Sequence, residues 1–166
     1  LDYAILVING ADGVQGHTVT LWRLLERYQI PTFIFINKMD QDGANQEILL
    51  AELRKRLSEN CLDFGPADIK TEILKETDPG SRTEQKGNEI SHTQAEQNTN
   101  EIFHTEAEHG EEFWESLAMC DEHLLEKYLE EGEVGPEEVT RLIIERKVFP
   151  CYFGSALKMG GVKYLI

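Results

Sequence analysis

The sequence predicts an α/β fold built on a parallel sheet, and three short apolar runs carry that prediction. Tyr3 to Ile8, Phe33 to Ile36 and Val148 to Phe153 are rich in β-branched and aromatic residues. Each run stops abruptly at small or polar residues: Asn9-Gly10-Ala11-Asp12-Gly13, Asn37-Lys38-Met39-Asp40 and Gly154-Ser155-Ala156. Continuous apolar runs of this length are how strands covered on both faces read. Helical periodicity fills the chain between the first two, giving a strand, helix, strand unit with a right-handed crossover.

From about Thr18, the recurrence of Leu21, Leu24, Leu25 and Tyr28 predicts the crossover helix. Pro31 then precedes the second strand. Gln41-Asp42-Gly43 leads into a helix expected near Asn45 to Asn60, with Leu49, Leu53 and Leu57 stacked at intervals of four, and Asp63 to Pro66 ends it. Over 75–109 the composition turns to Glu, Gln, Asn, Thr, Ser, Gly and His, with Ile90, Ile102 and Phe103 as the sizeable apolar residues. Such a segment buries too little surface to offset chain entropy and is expected to be flexible.

Order is expected to return over 111–131. There Trp114, Leu117, Leu124, Leu125 and Tyr128 form the apolar stripe of one amphipathic helix. Gly135-Pro136-Glu137-Glu138 opens a further helix, with proline in its first turn and carboxylates at the positive end of its dipole. Val139, Leu142 and Ile143 should face inward, with Arg146 and Lys147 at the carboxyl end. Past the third strand, Val162 to Ile166 reads as the first turns of a terminal helix.

The 166 residues suit one domain, or a compact domain carrying an insertion, and 40% apolar with 28% charged residues are globular values. A formal net charge of −15 argues against a direct grip on nucleic acid, because phosphate contacts need Lys and Arg. Cys61, Cys120 and Cys151 are far apart and lack CxxC spacing, which points to reduced thiols and a cytoplasmic location. No run approaches the roughly 20 apolar residues of a membrane span, and the start lacks the basic region and cleavage site of a signal peptide. Leu1 stands close before a strand and the chain stops within a helical pattern, so both ends are expected to be cut from something longer.

Ligands of open α/β sheets sit beyond the carboxyl ends of the strands, so Asn37, Lys38 and Asp40 are expected to face a ligand crevice. Asn37-Lys38-Met39-Asp40 resembles the NKxD motif of GTPases. The resemblance implies that Asp40 accepts two hydrogen bonds from guanine, that the Lys38 stem lies along the base and that Asn37 ties neighbouring loops together. An ionised carboxylate is acceptor-only and takes two parallel donors, whereas adenine presents a lone pair where guanine presents a proton. Four residues alone read equally well as a strand and a polar turn. Gly154-Ser155-Ala156 tips that balance, because it resembles the guanine-specificity loop in which a Ser-Ala main-chain N–H donates to the base oxygen; Ser155, Ala156 and Leu157 join the candidate site on that ground.

With Asp12-Gly13-Val14-Gln15 and Leu124-Leu125-Glu126-Lys127-Tyr128-Leu129, these stretches resemble the translational GTPases around elongation factor G, closest to the tetracycline-resistance ribosomal-protection branch. Similarity covers about Leu1 to Leu62 and Glu111 to Ile166. The resemblance implies a partial P-loop-GTPase-type sheet made of three strands of the carboxyl half. It divides the chain into 1–62 as core, 63–147 as an insertion and 148–166 as the last strand with the guanine loop. It also implies GTP or GDP as ligand, magnesium in the complete domain, the ribosome as partner and GTP hydrolysis by the complete protein. The insertion is expected either to touch ribosomal proteins or to form a solvated acidic surface.

Departures from the family pattern are equally plain. The sequence holds neither GxxxxGK[ST] nor DxPGH, so no catalytic or metal-binding residue is assigned. His17, at the start of the crossover helix, reads as structural, and His104 and His109 with Glu106 and Glu108 read as a solvated loop. The alternative is a non-catalytic nucleotide- or protein-binding module that keeps this sheet. An uncovered edge and face at the first strand are expected to favour a dimer or aggregate.

Overall fold

A computed structural model describes residues 1–65 and 110–165; the polar stretch at 75–109 and its histidines lie outside them. In chain order the elements are β1 (Ala4–Asn9), α1 (Gly16–Arg27), β2 (Thr32–Asn37), α2 (Gln46–Arg56), β3 (Cys61–Asp63), α3 (Glu111–Ala118), α4 (Glu122–Glu131), α5 (Pro136–Ile144) and β4 (Phe149–Phe153). The α/β fold read from the sequence is present. The strands form one parallel sheet in the order β1-β2-β4-β3.

Among the described residues four strands stand where three were expected. The addition is β3, which the sequence pattern presents as the end of the preceding helix. Helix α2 instead stops at Arg56, and Cys61 and Leu62 pair with Phe149 and Pro150 of β4. A strand of three residues is too short to show a period of two, and the β4 ladder rather than local propensity defines it.

The sheet divides two cores. On one face Leu6, Ile8, Ile34, Ile36, Cys151 and Phe153 pack with Trp22 of α1 and Leu49 and Leu53 of α2. On the other, Leu62 and Phe64 pack with Leu117, Leu124, Val139 and Leu142 of the carboxyl-side helices, flanked by Tyr152. Burying one such leucine contributes about 1.5–3 kcal/mol.

Among the described residues this second core reaches β3 and β4 but leaves β1 open. Strand β1 is an edge strand, and Tyr3, Ile5 and Val7 are exposed, so it is buried on one face rather than two. Helix α1 likewise packs through Thr18 and Trp22, whereas Leu21, Leu24 and Tyr28 of the expected stripe are exposed. Those side chains line an apolar groove with Leu1, Ile5 and Ile30.

The single helix expected over 111–131 is two. The chain breaks at Met119 and Cys120, and Asp121 caps α4 by accepting the Leu124 N–H at 3.1 Å. Asp121 also meets Lys147 at 2.6 Å and Arg141 at 3.2 Å; Lys147 foremost pulls its carboxyl down to about 2. One side chain therefore joins α4, α5 and the turn before β4. Of the expected terminal helix, Val162–Tyr164 forms a 3₁₀ turn.

At the amino end of the sheet Arg146 makes a similar tie. Its guanidinium lies 5.3 Å from the centre of the Trp22 ring and 5.0 Å from that of Phe149. It donates to the Ile30 carbonyl and, at 3.1 Å, to the Thr32 hydroxyl, which in turn donates to the Ile30 carbonyl at 2.8 Å. Cation and hydroxyl both find partners at this end.

Candidate functional site

At the opposite end, β1 and β2 finish in register at Asn9 and Asn37, and Phe153 of β4 lies beside Ile36. Parallel pairing therefore delivers the polar tails of β2 and β4 to one edge, where open α/β sheets take their ligands.

Asn37 binds the two tails together. Its Oδ1 accepts the Lys38 N–H at 2.8 Å and the Ala156 N–H, 119 residues further along the chain, at 2.9 Å. The main chain repeats the tie: Gly154 donates to the Ile36 carbonyl at 2.9 Å, and Met39 donates to the Gly154 carbonyl at 3.0 Å. Met39 is buried and anchors the loop from within. Only glycine fits at 154, because a Cβ there would lie 2.5 Å from the Gly160 carbonyl oxygen and 3.0 Å from the Phe35 ring. Gly160 comes this close because its carbonyl accepts the Ser155 N–H at 2.9 Å, folding 155–160 into a closed loop.

Lys38 is exposed and sits in the left-handed region at φ 66°. For a residue with a Cβ that conformation costs roughly 1–2 kcal/mol. Asn37 Oδ1 on its N–H and the Gln41 N–H on its carbonyl, at 3.1 Å, hold it there. The strain turns the chain sharply out of β2, so that Lys38 points outward and Met39 inward.

Asp40 is partly buried at this edge, its side chain 16% exposed, with Lys158 Nζ 3.6 Å from its Oδ2. The buried Ser155 hydroxyl approaches the same carboxylate without reaching full hydrogen-bond geometry. The hydroxyl is the largest influence holding the Asp40 carboxyl below its ordinary range, and the Lys158 ammonium adds to it. Asp40 is thus ionised at neutral pH and acceptor-only.

The structure accordingly brings together Asn37, Lys38, Asp40, Ser155 and Ala156, with Leu157 91% exposed at the loop tip. Ala156 commits its N–H to Asn37, whereas the Leu157 N–H meets no acceptor among the described residues. Lys158 was missed by the sequence reading, which stopped one residue short. The ion pair depends on the Ser155–Gly160 closure, which no local pattern announces. His17 is exposed in the first turn of α1, on the connection after β1. Among the described residues no three His, Cys, Asp or Glu side chains group to hold a metal, and no helix is long and apolar enough to cross a membrane.

A parallel sheet whose carboxyl edge joins two polar loops around an ionised carboxylate is the arrangement at which open α/β domains take their ligands. The particular family follows from the sequence as a whole: the model of the elongation factor Tu GTP binding domain matches residues 1–166, and the chain belongs to that family. A crystal structure of a protein from Thermus thermophilus has a similar fold, with a TM-score of 0.63 and 23% sequence identity. The match covers 99% of this chain and 25% of that one, so the chain spans about a quarter of that protein's length.

Proposed function

We propose that this chain is the guanine-reading part of a GTP-binding domain in a translation factor. Asp40 accepts the ring N–H and exocyclic amine of guanine, and the Lys38 stem flanks the base. Asn37 fixes the loop carrying Ser155, Ala156 and Leu157, whose main chain meets the base oxygen. With Ala156 N–H held by Asn37, the Leu157 N–H is the donor left to do so. The observation that carries the reading is the Asn37–Ala156 hydrogen bond, which unites the two loops beside an ionised Asp40. The residues fit guanine chemically: a carboxylate takes two donors side by side, and an outward main-chain N–H takes an oxygen.

In this reading 1–62 and 148–166 form the core, and 63–147 is an insertion. Phosphate and magnesium binding belong to the complete domain, and GTP bound there supplies a phosphoanhydride bond for hydrolysis. The complete protein works on the ribosome in the cytoplasm, in elongation or in ribosomal protection. The polar residues of this chain select and orient the base.

Equilibrium binding of GDP and ADP to the complete protein tests the reading. A site built around paired donors rejects an analogue lacking them by orders of magnitude, so GDP should bind at least about a hundredfold more tightly than ADP. Equal affinities would remove guanine reading from this edge.

A further inference from the structure

We propose that Lys158 is a positioning residue for the base-reading carboxylate, its ammonium fixing one oxygen of Asp40 so that the carboxylate meets guanine in a set orientation. The proposal rests on the guanine-reading assignment and adds a residue to it.

Three observations carry it. Lys158 Nζ lies 3.6 Å from Oδ2 of Asp40, on one named oxygen, and the lysine side chain is 35% exposed against 16% for the aspartate. Lys158 is held near its partner by the main chain: its N–H donates to the Ser155 carbonyl at 3.2 Å, inside the loop closed by Ser155 and Gly160. The Ser155 hydroxyl, the other polar group directed at Asp40, completes no hydrogen bond. Ser155 has the larger influence on the Asp40 carboxyl, and Lys158 supplies the cation beside it. Leu157, one residue earlier, points into solvent and carries no charge. The loop thus places an apolar side chain at its tip and a cation against the carboxylate.

A carboxylate free to turn about its terminal torsion must be ordered when a base binds, and an ion pair formed beforehand removes part of that cost. A partly exposed pair of this kind is a modest effect in water. Removing it should weaken binding several-fold rather than abolish it.

The test measures GDP affinity of the complete protein as wild type, Lys158→Met, Lys158→Arg and Asp40→Asn, from pH 3 to 8, a window that spans the acid limb of a carboxyl held below its ordinary range. Lys158→Met should lose about three- to fivefold at neutral pH, and Lys158→Arg should recover most of it. The acid limb of the Lys158→Met profile should move to higher pH, because Asp40 without its cation takes up a proton more readily. A purely structural lysine would leave that limb in place. If Lys158→Met binds GDP like wild type with the same pH profile, while Asp40→Asn loses GDP binding, the Lys158 proposal is overturned and guanine reading stands. If Asp40→Asn also binds GDP like wild type, both are overturned. Melting curves of each variant separate a loss of affinity from a loss of fold.

Discussion

The two ends of β2 treat their polar groups in opposite ways. At the amino end Thr32 is buried, yet its hydroxyl both donates to Ile30 and accepts from Arg146, whose cation lies against two aromatic rings. At the carboxyl end Ser155 is just as buried and its hydroxyl completes no hydrogen bond. Lys38 is held in a strained conformation there, and the Asp40 carboxylate, paired with Lys158 at one oxygen, keeps further acceptor capacity. A saturated end contributes stability. An end with uncommitted donors and acceptors keeps them for a ligand, and strain and orphaned polar groups collect at functional sites for that reason.

If that contrast is right, the same kind of deletion should act differently at the two ends. Arg146→Ala should cost the most, about 2–4 kcal/mol by urea denaturation, since it removes two cation–π contacts and leaves the Ile30 carbonyl and Thr32 hydroxyl short of a donor. Nucleotide affinity of the folded variant should not change. Thr32→Val keeps the shape and removes the hydroxyl, and should cost about 1–2 kcal/mol. Ser155→Ala should have the smallest effect on stability, within about 1 kcal/mol of wild type, because its hydroxyl approaches Asp40 without full hydrogen-bond geometry. A Ser155→Ala variant destabilised as much as Thr32→Val would break the comparison.

Much of this arrangement was legible in the sequence where one signal sufficed. The apolar run before Asn37 marked β2 without help from the rest of the chain, and its abrupt polar end marked the site. Gly154-Ser155-Ala156 was legible for the same reason. What escaped depends on partners distant in sequence. Strand β3 exists through its ladder with β4, 88 positions along at Cys61 and Phe149, and three residues carry no period. The break between α3 and α4 has no glycine or proline to announce it. Asp121, three residues before Leu124, was a capping signal that the continuous apolar stripe concealed. On α1 the period was read correctly and the face was not: leucines and a tyrosine recur at helical spacing, but Trp22 packs on Phe149, 4.7 Å between ring centres, and turns that stripe outward. Lys158 needed the loop to close before its ammonium had an address.

The central claim is that Asp40 reads a guanine edge through its two acceptor oxygens, and exchanging one acceptor for a donor tests it most directly. In the complete protein, Asp40→Asn should be compared with wild type for GDP and for xanthosine diphosphate, whose ring carries an oxygen where guanine has the exocyclic amine. The expected result is that GDP affinity falls by roughly a hundredfold or more while xanthosine diphosphate becomes the better ligand. Unchanged GDP affinity with no gain for xanthosine diphosphate would contradict it.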